Sequence, residues 1–164
     1  MNNIPRSQWL RMWQASEPAH IKALAKEVSA ACTITDLHIP KAGLGLLQLR
    51  DSAMGDAYFL GEIPVTKAHV RIHSQNGQVA EGAAICMDDR VGLTRAMAIL
   101  DGVLAAQLPG WELVENSLRA GATRVQEDTA LRRANLSATK VVFSLFCCLD
   151  VDEDVCTSCV LVNV

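Results

Sequence analysis

The stretch from Gly61 to Leu104 constrains the fold most, because within it the hydrophobic period changes from that of a strand to that of a helix. Val65 to Ile72 alternates: Ala68, Val70 and Ile72 share one face, and Lys67, His69 and Arg71 the other, as strand side chains do. Asn76-Gly77 is a strong hairpin signal, and a two-residue turn of that kind takes positive φ at both central positions. Gln78 to Met87 returns as a strand of small residues, with Gly82, Ala83 and Ala84 leaving room for another layer. Asp88 and Asp89 end it and are placed to cap the helix that follows. Leu93, Met97, Leu100, Leu104 and Leu108 then step at three- and four-residue intervals along one helix face. A hairpin, an acidic cap and an amphipathic helix define the core of an α+β domain.

The rest of the chain reads as additions to that core. Residues 6 to 15 form a short helix with Trp9, Leu10 and Trp13 on one face, where the tryptophans pack on the parent sheet by default or reach over to another subunit. Ser16 is a plausible N-cap for a second helix whose apolar stripe is Ile21, Leu24, Ala25 and Val28. Thr33 to Pro40 is a β-branched run, Lys41-Ala42-Gly43 a turn, and Leu46 to Arg50 a further strand. Ala57 to Leu60 opens the strand that leads into Val65, with Pro64 at a bulge or edge. Pro109-Gly110 closes the central helix. Trp111 to about Ala134 is a second long helix with a looser stripe of Leu113, Leu118 and Val125, interrupted at Gly121. Val141 to Leu149 is a final strand. The expected architecture is therefore α+β: two N-terminal helices, an antiparallel sheet of about five strands, two long helices packed on one face, and a C-terminal strand returning to the sheet. Residues 1–164 make a single domain.

Composition excludes several function classes. Half the residues are hydrophobic, which rules out disorder, while only 20% are charged. Such a balance points to buried faces beyond one monomer's needs, although an Ala- and Val-rich chain can also simply be compact. A net charge of −3 argues against nucleic-acid binding. No apolar run approaches the ~20 residues that span a bilayer. Trp9, Arg11 and Trp13 interrupt any secretory core near Met1, so a cytoplasmic protein with reduced cysteines is expected.

Few residues offer chemistry. Lys67, His69 and Arg71 share a strand face where they could meet phosphate or phosphonate oxygens, and a solvated outer face would look the same. Asp88 and Asp89 could serve a metal-nucleotide, but adjacent side chains diverge and capping explains them. Asp101 lies on the central helix between apolar neighbours, facing water or a basic partner. His20, His38, His69 and His73 have no metal-ligand spacing. Cys147, Cys148, Cys156 and Cys159 could supply four thiolates to zinc, yet adjacent cysteines make a poor first pair, so structural or incidental cysteines are the simpler reading; Cys32 and Cys86 stand apart. No phosphate-binding loop, dinucleotide fingerprint, nucleophile elbow or zinc-protease motif is present, so no catalytic residue, cofactor or metal is expected.

The GEIPVTKAHV segment, the small residues at 82 to 84, Asp88-Asp89 and the AMAILDGVL helix resemble the PhnG family, the G subunit of the bacterial carbon–phosphorus lyase core complex. Arg6-Ser7-Gln8-Trp9-Leu10 is similar to its opening helices, and Ala138 to Phe146 to its closing strand. Met87 departs from the family's usual glycine, and the cysteine-bearing tail (147–164) lies beyond the pattern. The resemblance implies an auxiliary subunit in phosphonate catabolism, associated with I, H and J subunits. There G, with the H, I and L proteins, would serve a step in which an alkylphosphonate displaces adenine from ATP, giving α-D-ribose 1-methylphosphonate 5-triphosphate, with the chemistry on the I subunit. Trp9 and Trp13 would then serve an interface with the I subunit, and twofold symmetry through a homodimer is compatible with it. Two other readings stand beside this one: a stand-alone metal or redox protein built on the cysteine tail, and an anion-binding homo-oligomer using Lys67, His69 and Arg71.

Overall fold

The alternation around Val70 is realised as an antiparallel meander. In the computed structural model, which describes residues 4–139, β1 (Cys32–Arg50), β2 (Ala57–Ser74) and β3 (Val79–Cys86) pair in chain order. Thr66, Ala68, Val70 and Ile72 of β2 and Ala80, Ala84 and Cys86 of β3 are buried on one face, opposite one another in register. Lys67, His69 and Arg71 occupy the other. The β2–β3 turn is longer than a two-residue hairpin. Ser74 N–H donates to Gln78 O at 2.9 Å, and only Gly77, with φ of 80°, takes the left-handed conformation.

Four helices lie on the side of the buried face, in layers: α1 (Arg6–Gln14), α2 (Pro18–Ser29), α3 (Val91–Ala105) and α4 (Trp111–Ala138). α3 lies on β2 and β3, and its predicted stripe of Leu93, Met97, Leu100 and Leu104 is buried. The helix is in fact buried nearly all round, because α1, α2 and α4 close over its other side. Each fully buried aliphatic side chain there contributes roughly 1.5–3 kcal/mol. Gly82 and Gly102 let β3 and α3 approach backbone to backbone: a Cβ on Gly82 would lie 2.5 Å from Gly102 N. Between the same layers, the buried hydroxyls of Thr66 and Thr94 satisfy each other at 2.5 Å.

Several expectations are corrected. Among the described residues the sheet has three strands, because the runs expected at Thr33–Pro40 and Leu46–Arg50 are one strand. Lys41-Ala42-Gly43 is not a turn: it pairs with Val65 to Lys67, and the chain accommodates it by register shifts. The strand expected at Val141–Leu149 lies outside the described residues. Of the two long helices only α3 packs on the sheet; α4 packs on α1 and α3. The buried stripe of α4 is Val114, Ser117, Leu118 and Gly121, whereas Leu113 is exposed. Gly121 does not interrupt the helix; it admits the backbone of Met12, whose carbonyl carbon would lie 2.7 Å from an added Cβ.

The helix ends also differ. Glu17, not Ser16, precedes α2, with Pro18 at its first position. α3 starts at Val91 with no side-chain cap. Asp88 instead accepts the N–H of Arg90 at 2.6 Å in the bend before the helix. At its other end α3 stops before Pro109, in a Schellman turn with Gln107 left-handed. There Leu108 N–H donates to Val103 O at 3.0 Å and Gln107 N–H to Leu104 O at 3.3 Å. Leu108 is buried beneath that turn rather than within the helix.

Candidate functional site

The outer face of the sheet gathers most of the predicted site residues. Antiparallel pairing sets Lys67 opposite Lys41 and His69 opposite His38, so two residues of β1 join the stripe on β2. The imidazoles of His38 and His69 stand 5.9 Å apart. From β3, Glu81 reaches across: Arg71 donates to it through Nε at 3.0 Å and a terminal nitrogen at 2.6 Å, and His69 Nε2 lies 3.3 Å away. Arg71 hydrogen bonding holds the Glu81 carboxyl below its usual range, with the charges of Arg71 and His69 adding to the effect. Arg71 and His69 are therefore partly neutralised. Lys41 and Lys67 make no ion pair among the described residues. Like charges directly opposite one another are unfavourable in a sheet unless an anion offsets them. His38 and Lys41 escaped sequence reading because two register shifts separate them from any simple alternation.

Beyond Thr66, where pairing with β3 ends, β1 and β2 continue alone as a two-stranded ribbon. It runs from Ala42 opposite Thr66 to Arg50 opposite Ala57, roughly 25–30 Å. Its tip is fixed by Asp51, whose carboxylate accepts the N–H of Met54 at 2.9 Å. Backbone N–H groups of Met54 and Ala53 lower that carboxyl's pKa. Large apolar side chains crowd the ribbon in the open: Leu44, Leu46, Phe59 and Leu60 are each 63–68% exposed.

The remaining candidates sit elsewhere. Asp101 is buried and faces neither water nor the sheet's outer face: Arg6 donates to both of its oxygens, at 2.9 and 2.7 Å, and Ala83 N–H donates at 3.1 Å. Asp88 pairs with Arg90, whose hydrogen bonds lower the Asp88 carboxyl to about 2. Trp13 is 1% exposed and meets Trp9 at a tilt of 59° with ring centroids 6.2 Å apart, so its surface lies inside the chain and only part of Trp9 faces outward. His20 and His73 are exposed singly. Cys86 and Cys32 are free thiols pushed up by burial. Cys147, Cys148, Cys156 and Cys159 lie outside the described residues. A groove of about 720 Å³ runs between α1 and α4, lined by Gln8, Arg11, Gln126 and Arg133 among others. Among the described residues no helix is long and apolar enough to cross a membrane.

No individual curated protein matches the chain. A family model described as phosphonate metabolism protein PhnG matches residues 4–147, which takes in every described element, the basic face and the ribbon. The chain belongs to the PhnG family of phosphonate metabolism proteins.

Proposed function

We propose that the chain is an auxiliary subunit of the carbon–phosphorus lyase core complex, in the cytoplasm. It supports formation of α-D-ribose 1-methylphosphonate 5-triphosphate from ATP and methylphosphonate, while the I subunit carries the bond-breaking chemistry. Family membership supports phosphonate metabolism. The observation that carries the subunit role is the concentration of exposed leucines and phenylalanine between residues 44 and 60. A chain that folds its core around α3 yet leaves such a surface open is built to be covered by another protein.

The test is reconstitution. Co-expression with the I, H and J subunits should give a complex of fixed stoichiometry by light scattering. Supplied with the L protein, that complex should form the ribosyl phosphonate from ATP and methylphosphonate, and omission of this chain should abolish the product. Full activity without it, or no association with those subunits, overturns the reading.

The basic face supports a second role within the same complex. Lys41, Lys67 and His69, with Arg71 held by Glu81, would steer anionic substrate or product toward the catalytic subunit.

A further inference from the structure

We infer that the β1–β2 ribbon is an insertion arm, which enters an apolar, two-walled cleft with an acidic mouth on a different polypeptide. The inference rests on the subunit reading and adds which segment docks and what its receptor must look like.

Register sorts the ribbon's side chains. On one face Leu44 lies opposite Pro64, Leu46 opposite Glu62, and Gln48 opposite Phe59. This face continues the sheet surface that, around Val70, α3 covers; along the ribbon no helix among the described residues covers it. On the other face Gly45 lies opposite Ile63, Leu47 opposite Gly61, and Leu49 opposite Tyr58. A register shift after Leu47 leaves Leu60 as the extra residue beside Gly61. Both faces thus carry large apolar side chains, with Glu62 and Gln48 as polar residues among those of the first face. A hairpin with one wet face alternates apolar and polar residues; one apolar on both faces is covered on both. Leu44, Leu46, Phe59 and Leu60 are each about two-thirds open and Tyr58 and Leu49 less so, so the ribbon presents roughly 600 Å² of apolar surface, most of one partner's share of a standard interface.

Charge describes the mouth of the cleft. At the ribbon's base Lys41 and Lys67 stand side by side without an ion pair among the described residues, next to His38 and His69. A receptor that admits the ribbon to its full length brings its rim against these cations, and carboxylates there would relieve their repulsion. A second copy of this chain offers no such receptor among the described residues. Its groove between α1 and α4 is lined by Gln8, Arg11, Gln126 and Arg133, with cations and no carboxylate.

The experiment uses the full chain co-expressed with the I, H and J subunits, compared with Leu46→Asp and Phe59→Asp on one face, Leu47→Asp and Leu60→Asp on the other, and Lys41→Glu with Lys67→Glu at the base. Circular dichroism and urea midpoints of each variant alone establish that the body, which the ribbon does not enclose, remains folded. Affinity is expected to fall at least tenfold for a change on either face. The charge reversal should weaken binding and flatten its salt dependence. Loss from one face only would show flat docking and overturn the two-walled cleft. Wild-type affinity in all face variants would overturn the arm itself. Undiminished binding after charge reversal would overturn the acidic mouth. A purified chain that dimerises, and becomes monomeric on Phe59→Asp, would make a second copy the occupant and overturn the hetero-partner. If the wild-type chain binds none of the subunits, the subunit reading falls and takes this inference with it, an outcome separate from failure of the variants.

Discussion

The guanidinium of Arg6 meets the carboxylate of Asp101 side by side, at 2.9 and 2.7 Å, across 95 residues of chain. Through the same carboxylate, the Ala83 N–H of β3 is tied to α3 at 3.1 Å. One buried side chain therefore holds α1, α3 and the sheet in register.

Asp101→Ala would leave the Ala83 N–H without its acceptor and detach α1. We expect a loss of about 2–4 kcal/mol, measured by urea unfolding. Arg6 is more than half exposed, so solvent screens its share, and Arg6→Ala should cost less, about 1–2 kcal/mol. Equal or smaller loss for Asp101→Ala would contradict this arrangement.

Gly82 and Gly102 face each other where β3 crosses α3. Gly82→Ala drives a methyl group into helix backbone that cannot rotate aside, so we expect about 3 kcal/mol or more of destabilisation. Gly77→Ala has open space and meets only the positive-φ penalty, about 1–2 kcal/mol. Comparing the two midpoints separates close approach from turn geometry.

Gln107 carries the left-handed position of the Schellman turn at φ of 50°. Gln107→Gly removes the Cβ penalty there and should raise stability by about 0.5–1 kcal/mol, seen as a higher melting temperature. A lower melting temperature would show that the glutamine side chain contributes more than its backbone strain costs.

Asp88 has a folded pKa of about 2, chiefly through hydrogen bonds from Arg90. Because that lies below the ordinary value near 3.9, its stabilisation is fully present above about pH 4 and fades as pH falls toward 2. Carboxyl-carbon NMR should show this titration, and Arg90→Ala should move it up toward the ordinary range. An unmoved titration would assign the shift to the backbone alone.

Glu81 competes with any anion for Arg71 and His69. Glu81→Gln should therefore tighten ATP binding several-fold in calorimetry, and Lys41→Ala with Lys67→Ala should weaken it. Indifference to all three changes would reduce the basic face to a solvated surface.

The sequence by itself determined the elements whose periodicity is local. Ala68, Val70 and Ile72 against Lys67, His69 and Arg71, and the leucines and Met97 of the central helix, could be sorted because one buried face repeats every two or about 3.6 residues. Only tertiary structure decided the rest. Lys41 and Lys67 are neighbours through register, and Asp101 finds Arg6 through packing of distant segments; neither relation leaves a local pattern. By sequence Trp13 could pack within its own chain or reach another subunit; it is buried, and α1 lies against α4 at Gly121 and against α3. The strand count failed for a related reason. Lys41-Ala42-Gly43 has the composition of a turn, yet sixteen pairings along β1 and β2 outweigh that local preference and draw it into one continuous strand.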